Sequence, residues 1–256
     1  MLNQIDYGSV LVGNGPAKRY SDKYEVNIKK APDFFKRTLS PMTTTSSVVA
    51  VKFNGGVAVA ADVGGYYGSM ARFSSLERLI KVNNQIVMAS NGDYADFQYM
   101  KDVIEQRSIS EDILEDGYQM KAISLYTWLT RVMYSRRSKF DPLWNSIVVA
   151  GFSDGKSFLG AVDKLGLAYE DSCIATGMGS HLALPMLRDS VAKSGGVEKM
   201  TKDQAVAVLT KCLEVLYYRD CRSLPVFRVA TVTSEGVNVS KEKELQSNWE
   251  IAHFVK

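Results

Sequence analysis

Residues 41–62, PMTTTSSVVAVKFNGGVAVAAD, decide the fold, because they hold two apolar, β-branched segments joined by Asn54-Gly55-Gly56. An Asn-Gly pair between two such segments is typical of a β-hairpin. The hydroxyl-rich run 43–47 stands directly before the first segment, and Asp62 ends the second. A threonine at the head of a strand can act as a nucleophile if a base lies beside it. The stretch therefore raises the question whether one of these hydroxyl groups is catalytic.

The rest of the chain continues the pattern of short strands and adds two pairs of helices. The predicted strands after Asp62 span 78–82, 85–90, 145–152, 156–163, 166–171, 172–176, 226–233 and 237–240. The predicted helices span 93–107, 119–137, 180–193 and a segment that starts with a capping box at 201–204. We expect 166–171 and 172–176 to continue one sheet, and largely apolar strands to be covered on both faces. Strands and helix pairs that alternate in blocks favour an α+β fold over a Rossmann alternation.

The charge distribution argues against nucleic acid as a partner. Of 31 basic and 28 acidic residues, seven basic and four acidic ones lie in residues 1–37, so the remainder carries 24 of each sign. A neutral body lacks the positive field that nucleic-acid binding requires. A membrane partner is not expected either, because no apolar run approaches the roughly 20 residues that span a bilayer. The N-terminus also lacks the layout of a secretory signal.

Histidine and cysteine usage argues against a metal site and against a Ser–His–Asp triad. The sequence contains two histidines, His181 and His253, and we expect both to be structural or exposed. The three cysteines, Cys173, Cys212 and Cys221, follow no ligand spacing and fit free thiols in a reducing compartment. The sequence therefore predicts no metal and no cofactor.

Seven motifs, in register over residues 38–256, resemble the β-type subunits of the eukaryotic 20S proteasome core particle. They are GVAVAAD (56–62), YGSMARF (67–73), NGDYADFQ (91–98), MYSRRSKFDPLWN (133–145), ATGMGSHLALPMLR (175–188), VLYYRDCRS (215–223) and NWEIAH (248–253). Among those subunits, the likeness points to the non-catalytic seventh β subunit. The resemblance implies the N-terminal-nucleophile (Ntn) hydrolase fold. This is a four-layer α+β sandwich in which two antiparallel sheets pack face to face between outer helix layers.

The resemblance also implies where the catalytic groups of active relatives fall in this chain. The nucleophile position is Ser46, and Thr45 occupies the position of the glycine that precedes it. Asp62 and Arg78 occupy the positions of an aspartate and a lysine. Asp220 and Ser223 match the supporting pair, and Gly92 matches the glycine at the oxyanion position. Arginine at the lysine position cannot relay a proton near neutral pH, because guanidinium keeps its charge. Thr45 replaces a glycine whose missing Cβ permits the strained turn used for self-cleavage. We therefore expect a degenerate site, with Asp62 paired to Arg78 and Asp220 bonded to nearby backbone.

Neither neighbouring threonine can take the place of Ser46. Side chains alternate along a strand and each residue adds about 3.3 Å, so Thr45 faces the wrong side and Thr44 lies roughly 6.6 Å away. Proton transfer requires a separation of about 3 Å. A peptidase that uses Ser46 is the alternative, and it requires a free Ser46 amine. A third hypothesis is an Ntn amidohydrolase that works outside any ring, which the aromatic tail argues against.

The resemblance divides the chain into a leader (1–37), a subunit domain (38–240) and a tail (241–256). Leader cleavage is expected between Arg37 and Thr38, and Trp249, Ile251 and Phe254 are the expected tail contacts with the opposite β ring. The implied function is a non-catalytic structural subunit of the core β ring. The implied partners are the other α- and β-type subunits, in stacked seven-membered rings that carry out ATP- and ubiquitin-dependent protein degradation. The implied location is the cytoplasm and the nucleus.

Overall fold

The computed structural model describes residues 41–117, 119–250 and 252. The predicted leader 1–37, with the cleavage residues Arg37 and Thr38, lies outside the described residues, as do the tail residues Ile251 and Phe254. The structure therefore bears on the subunit domain and on the base of the tail.

Fourteen strands lie in the described residues, and they form two antiparallel sheets. In chain order they are β1 (Thr43–Thr45), β2 (Val48–Phe53), β3 (Gly56–Asp62), β4 (Gly65–Tyr67), β5 (Met70–Phe73), β6 (Leu79–Asn83), β7 (Ile86–Asp93), β8 (Asn145–Ser153), β9 (Lys156–Val162), β10 (Ala168–Glu170), β11 (Cys173–Ala175), β12 (Val226–Thr233), β13 (Gly236–Val239) and β14 (Lys243–Glu244). The eight-stranded sheet has the order β10-β9-β8-β7-β1-β4-β5, with β6 paired to β7. The six-stranded sheet has the order β11-β2-β3-β12-β13, with β14 paired to β12.

Four α-helices are found in the same residues, and local sequence explains where two of them begin. They are α1 (Tyr94–Asp112), α2 (Ala122–Ser138), α3 (Gly179–Lys193) and α4 (Lys202–Arg219). Asp93 caps α1, since its carboxylate accepts a hydrogen bond from the Ala95 N–H at 2.9 Å. At α4, Thr201 forms the predicted capping box with Gln204.

The layer order follows from strands that bury both of their faces. Along β2, Val48 and Ala50 pack between the two sheets, whereas Val49 and Val51 pack against α3 and α4. Strands β7 and β8 divide in the same way between the inter-sheet space and the helices α1 and α2. The layers are therefore α1 with α2, the eight-stranded sheet, the six-stranded sheet, and α3 with α4. This confirms the predicted four-layer α+β sandwich.

Two features of the sheets differ from the prediction. Segments 166–171 and 172–176 do not continue one sheet: β10 pairs with β9 in the eight-stranded sheet, and β11 pairs with β2 in the six-stranded sheet. The chain changes sheets between Glu170 and Cys173, a step that apolar character alone does not reveal. The short strands β1, β4, β5 and β14 were also not predicted as sheet members, and β14 lies inside the predicted tail, where it pairs with β12. They depend on pairing with distant segments rather than on their own sequence pattern.

Candidate functional site

Three of the predicted site residues meet where the chain passes from one sheet to the other. Ser46 and Ser47 connect β1 in the eight-stranded sheet to β2 in the six-stranded sheet, Asp62 ends β3, and Arg78 precedes β6. All four are buried, and Arg78 is only 2% exposed. The fold therefore brings Ser46, Asp62 and Arg78 together, as the resemblance implies.

The Arg78 guanidinium lies at the centre of this cluster and donates to five oxygen atoms. Its Nε donates to the Asp62 carbonyl at 2.9 Å, and its Nη1 donates to the Ser46 carbonyl at 2.6 Å. Its Nη2 lies 2.5 Å from Asp62 Oδ1, 3.2 Å from Ser46 Oγ and 3.2 Å from the Ser47 carbonyl oxygen. A guanidinium carries its donors in a rigid planar fork, so it can serve acceptors that one lysine ammonium could not reach together.

The Asp62 carboxylate completes a buried ion pair with Arg78. Its Oδ1 also accepts from the Gly64 N–H at 3.4 Å, and its Oδ2 accepts from the Leu224 N–H at 3.1 Å. Burial lowers the pKa of Arg78, and the charge and hydrogen bond of Asp62 act in the opposite direction. Because guanidinium starts from a pKa far above neutral, Arg78 stays protonated beside Asp62. The predicted Asp62–Arg78 pair is therefore present, with both side chains almost fully buried.

The contacts of Ser46 orient this residue without supplying a proton acceptor. Its Oγ accepts from Arg78, a cation that donates hydrogen bonds and accepts none. Its nitrogen belongs to the peptide bond that follows Thr45, the last residue of β1. A free amine at Ser46 would require cleavage of that bond. A hydroxyl group without a base in reach is a poor nucleophile.

The side chains of the two threonines before Ser46 bond β1 to neighbouring parts of the fold. Thr45 Oγ1 donates to the Gly92 carbonyl at 3.3 Å. Thr44 Oγ1 accepts from the Arg222 guanidinium at 3.4 Å. These contacts link β1 to β7 on one side and to the loop after α4 on the other. They give both hydroxyl groups a structural role.

Asp220 and Ser223 belong to that same loop. Asp220 Oδ1 accepts from the Arg222 N–H at 3.0 Å, and the Ser223 N–H donates to the Asp220 carbonyl at 3.2 Å. The expectation that Asp220 bonds nearby backbone is therefore confirmed. The next residue, Leu224, joins the loop to the buried cluster through its N–H bond to Asp62. The supporting pair thus shapes a loop that touches the site through its backbone.

Gly92, at the predicted oxyanion position, is required by packing. Its φ is +112°, a region that side chains other than glycine rarely adopt. A Cβ at this position would lie 2.0 Å from the Trp144 carbonyl oxygen. That carbonyl also accepts from the Asp93 N–H at 2.9 Å, so it is fixed in place. Glycine is therefore needed here for the approach of residue 144 to β7, whether or not the site is catalytic.

Sequence reasoning did not single out Ser47 and Tyr66, which also belong to the site. Ser47 Oγ accepts from the Gly179 N–H at 2.8 Å, at the first residue of α3. Helix α3 has no side-chain cap of its own, so Ser47 supplies an acceptor that its N-terminus needs. Tyr66 lies buried nearby, and burial together with the charges of Asp62 and Asp220 raises its pKa to about 12. The uncapped run GMGS (177–180) is the signal that could have pointed to Ser47.

The base of the tail packs on the chain's own helix α4. Trp249 makes edge-on contacts with Tyr217 and Tyr218, at ring-centroid separations of 5.8 and 5.1 Å. The Asn248 N–H donates to the Tyr218 hydroxyl at 2.6 Å. Trp249 remains 49% exposed, so about half of its surface is open to a further partner.

Metal and membrane features were sought in the described part of the chain. Within residues 41–117, 119–250 and 252, no group of three or more His, Cys, Asp or Glu side chains could hold a metal ion. None of the helices described there combines the length and the apolar character that crossing a bilayer demands. Cys173, Cys212 and Cys221 are free thiols, and burial raises the pKa of Cys212 to about 12.

Comparison with known proteins identifies the family. A family model described as "Proteasome subunit" matches residues 42–232, which include every strand and helix from β1 to α4 and nearly all of β12. The chain belongs to the proteasome subunit family. The match extends over both sheets and over the Ser46–Asp62–Arg78 cluster, so the family likeness covers the fold and the site together.

This proteasome subunit has β-type relatives in distant eukaryotes. It is 49% identical over 220 residues to "Proteasome subunit beta type-4" of Xenopus laevis, a match that covers 86% of this chain and 90% of the relative. It is 37% identical over 228 residues to the Arabidopsis thaliana protein of the same description, with 89% and 91% covered. It is 36% identical over 226 residues to "Proteasome subunit beta type-7" of Saccharomyces cerevisiae, with 86% and 85% covered. The resemblance to a β subunit of the proteasome core is therefore confirmed.

Proposed function

We propose that this proteasome β subunit is a structural, non-catalytic member of its ring. The observation that carries the proposal is the Arg78 guanidinium, which occupies the lysine position and binds both Ser46 and Asp62. A hydroxyl nucleophile of this fold needs a group that takes up and returns its proton. A buried, ion-paired guanidinium does not do so near neutral pH. The remaining side chains form a hydrogen-bonded cluster that stabilises the junction of the two sheets.

The alternative, a peptidase that uses Ser46, needs a free amine at that residue. Cleavage before Ser46 would release β1, and with it the pairing of β1 to β4 and to β7. Because cleavage would cost these backbone hydrogen bonds, the pairing of β1 supports the structural role of Ser46 over the catalytic one. An amidohydrolase that works outside a ring, the third hypothesis, is disfavoured by membership of the proteasome subunit family.

The test of the proposal is the substitution Ser46→Ala in assembled particles. We expect every peptidase activity of the particle to keep its wild-type rate, because the one hydrogen bond that the Ser46 side chain makes within the described residues goes to Arg78, which cannot act as a base. The measurement is hydrolysis of fluorogenic peptides by purified particles of equal concentration. The matched control is an alanine substitution of the nucleophile in a catalytic β subunit. This change should remove the activity of that subunit.

Two results would contradict the proposal and support the active-enzyme alternative. One is covalent labelling of Ser46 by a threonine-directed inhibitor. The other is a mature N-terminus at Ser46 in mass spectra of purified particles. We expect the mature chain to begin at Thr38 instead, after cleavage by an active neighbour that accepts Arg37. Such a chain keeps β1 whole, because the cut lies five residues before Thr43.

We further propose that the chain assembles with the other α- and β-type subunits in stacked seven-membered rings that degrade ubiquitin-tagged proteins. Its proposed location is the cytoplasm and the nucleus. Membership of the proteasome subunit family supports assembly with other subunits. The proposed tail contact with the opposite β ring is supported by Trp249, whose indole is half exposed although it packs on α4.

Deletion of residues 248–256 is expected to let half-particles accumulate, while each isolated ring still forms. The reason is that the deletion removes Trp249, and burying a side chain of this size contributes roughly 1.5–3 kcal/mol. Native gels of particles from cells that express the deletion variant provide the measurement. Trp249→Phe, which keeps an aromatic ring on Tyr217 and Tyr218, serves as the milder control. Full double-ring particles, formed at the normal rate and with normal salt resistance, would disprove the tail contact.

A further inference from the structure

A small polar cluster joins the connection between β5 and β6 to the base of the tail. The Ser75 hydroxyl donates to Glu242 Oε1 at 2.9 Å, and Arg228 Nη2 donates to the same oxygen at 2.7 Å. Ser75 and Glu242 are exposed, whereas Arg228, on β12, is half-buried. The hydrogen bond from Arg228, and then the one from Ser75, lower the pKa of Glu242, so its carboxylate is charged at neutral pH. One carboxylate oxygen therefore holds the two donors close to each other.

The segment that carries Glu242 is held more weakly than the segment that carries Ser75. On the tail side, β14 has two residues, both exposed, which pair with β12. On the other side, the N–H of Leu76 donates to the carbonyl of Val63 at 2.8 Å, and the buried Arg78 follows two residues later. A repulsion between Ser75 and Glu242 would therefore move the base of the tail and leave residues 75–78 in place.

The residues around Ser75 have the features of a protein kinase substrate. Strand β5 (Met70–Phe73) stands at an end of the eight-stranded sheet and is exposed along its length. Residues 74–78, all of them described, form neither a helix nor a strand. Kinases bind their substrates as extended segments, and many recognise the guanidinium of an arginine three residues before the serine. Arg72 is exposed and has this spacing to Ser75.

We propose that Ser75 is a phosphorylation site for an ATP-dependent protein kinase that recognises Arg72, and that the phosphate releases the base of the tail. In the transfer, Ser75 Oγ forms a bond to the γ-phosphorus of ATP, and the bond from that phosphorus to the oxygen of the leaving ADP breaks. The hydroxyl proton passes to the aspartate base of the kinase. The products are phosphoserine at residue 75, ADP and one proton.

The phosphate replaces the attraction between Ser75 and Glu242 with repulsion. Ser75 loses the proton that it donates, and it gains a charge of about −1.5 to −2 beside a carboxylate. The phosphate oxygens also compete for Arg228, which gives Glu242 one N–H and whose Nε has no acceptor within the described residues. Glu242 then loses both hydrogen bonds of its side chain, and β14 opens as far as the buried Leu245. This opening loosens the tail for which a contact with the opposite β ring is proposed, although the modification site itself does not depend on that contact.

The first measurement locates the phosphate. The full-length chain is incubated with Mg·ATP and a purified calmodulin-dependent protein kinase, which recognises an arginine at this spacing, and is then analysed by mass spectrometry. We expect phosphate on Ser75, and an initial rate of its addition at least about tenfold lower in Arg72→Ala, because the recognised cation is lost. Ser74→Ala, at the neighbouring exposed serine, is the matched control and should change that rate by less than about twofold. No phosphate on Ser75, or an undiminished rate in Arg72→Ala, overturns the proposal.

The second measurement is amide hydrogen exchange of the kinase-treated chain. The reference is Ser75→Ala treated in the same way, because it carries any phosphate added at other residues. We expect the amides of 241–245 to exchange at least about tenfold faster in the phosphorylated wild type, while those of β13 exchange alike in both proteins. In Glu242→Gln, which lacks the repelled charge, phosphorylation should change the exchange by less than about twofold. Equal exchange in the treated wild type and Ser75→Ala, or full acceleration in Glu242→Gln, overturns the release of the tail. Both measurements use the isolated chain, so their failure leaves the proposed role in the ring untouched.

Discussion

Replacing Arg78 with methionine is expected to lower the free energy of unfolding by about 3–5 kcal/mol, the usual cost of removing one partner from a buried ion pair. The substitution leaves the Asp62 carboxylate charged and buried without its cation. It also removes the donors of the Ser46 and Ser47 carbonyl oxygens. Unfolding of the purified chain in urea, followed by far-ultraviolet circular dichroism, measures the change.

Two further variants separate the charge of Arg78 from its geometry. Arg78→Lys keeps the positive charge but replaces a five-donor fork by a single ammonium, so we expect an intermediate loss of stability. Lys193→Met removes an exposed pair with Asp189, at 2.6 Å, and should change stability by less than about 1 kcal/mol. A loss for Arg78→Met no larger than that for Lys193→Met would show that the buried cluster does not stabilise the fold.

The layers of the fold could be predicted because the central strands are recognisable from their own sequence. In β2 and β3 nearly every residue is apolar and small or β-branched, which indicates strands that are covered on both faces. The Asn54-Gly55 turn between them sets the hairpin register, and Gly55 takes φ +83° there. The helices were likewise visible from their periodicity and caps. Each of these features depends on neighbours in the sequence.

The strands that escaped prediction depend on partners far away in the chain. Strand β1 is three threonines, β4 contains a glycine, and β5 is exposed along its whole length. None has the alternating pattern of a half-buried strand. Their pairing is set by the position of β7 and by the chain connection to β2. The change of sheet between β10 and β11 is non-local for the same reason.

The candidate site was predicted only in part, since Ser47 and Tyr66 were missed, and its geometry was not predicted. The resemblance identified Ser46, Asp62 and Arg78, and charge alone suggested the ion pair. It did not reveal that Arg78 also binds the backbone oxygens of residues 46, 47 and 62. Those contacts depend on how two sheets meet, and no sequence pattern encodes the distance between them. The structural role of Arg78 therefore became visible only in three dimensions.

Replacing Gly92 with alanine is expected to be among the most damaging single changes in the chain. The new Cβ would lie 2.0 Å from the Trp144 carbonyl oxygen, which is itself held by the Asp93 N–H. The backbone at φ +112° is also strained for any residue that has a Cβ, whereas glycine adopts it without strain. We expect a loss of at least about 3 kcal/mol in the free energy of unfolding, measured in urea, since overpacking and backbone strain add.

Gly68→Ala is the control that separates backbone strain from the clash. Gly68 also has a positive φ, +62°, but nothing lies within 4 Å of the Cβ that alanine would add. Its replacement should therefore cost only the left-handed backbone term, about 1–2 kcal/mol. If the two variants lost equal stability, the close approach of Trp144 to Gly92 would not be the cause. A larger loss for Gly92→Ala would assign the difference to that contact, and thus to the close packing of residue 144 against β7.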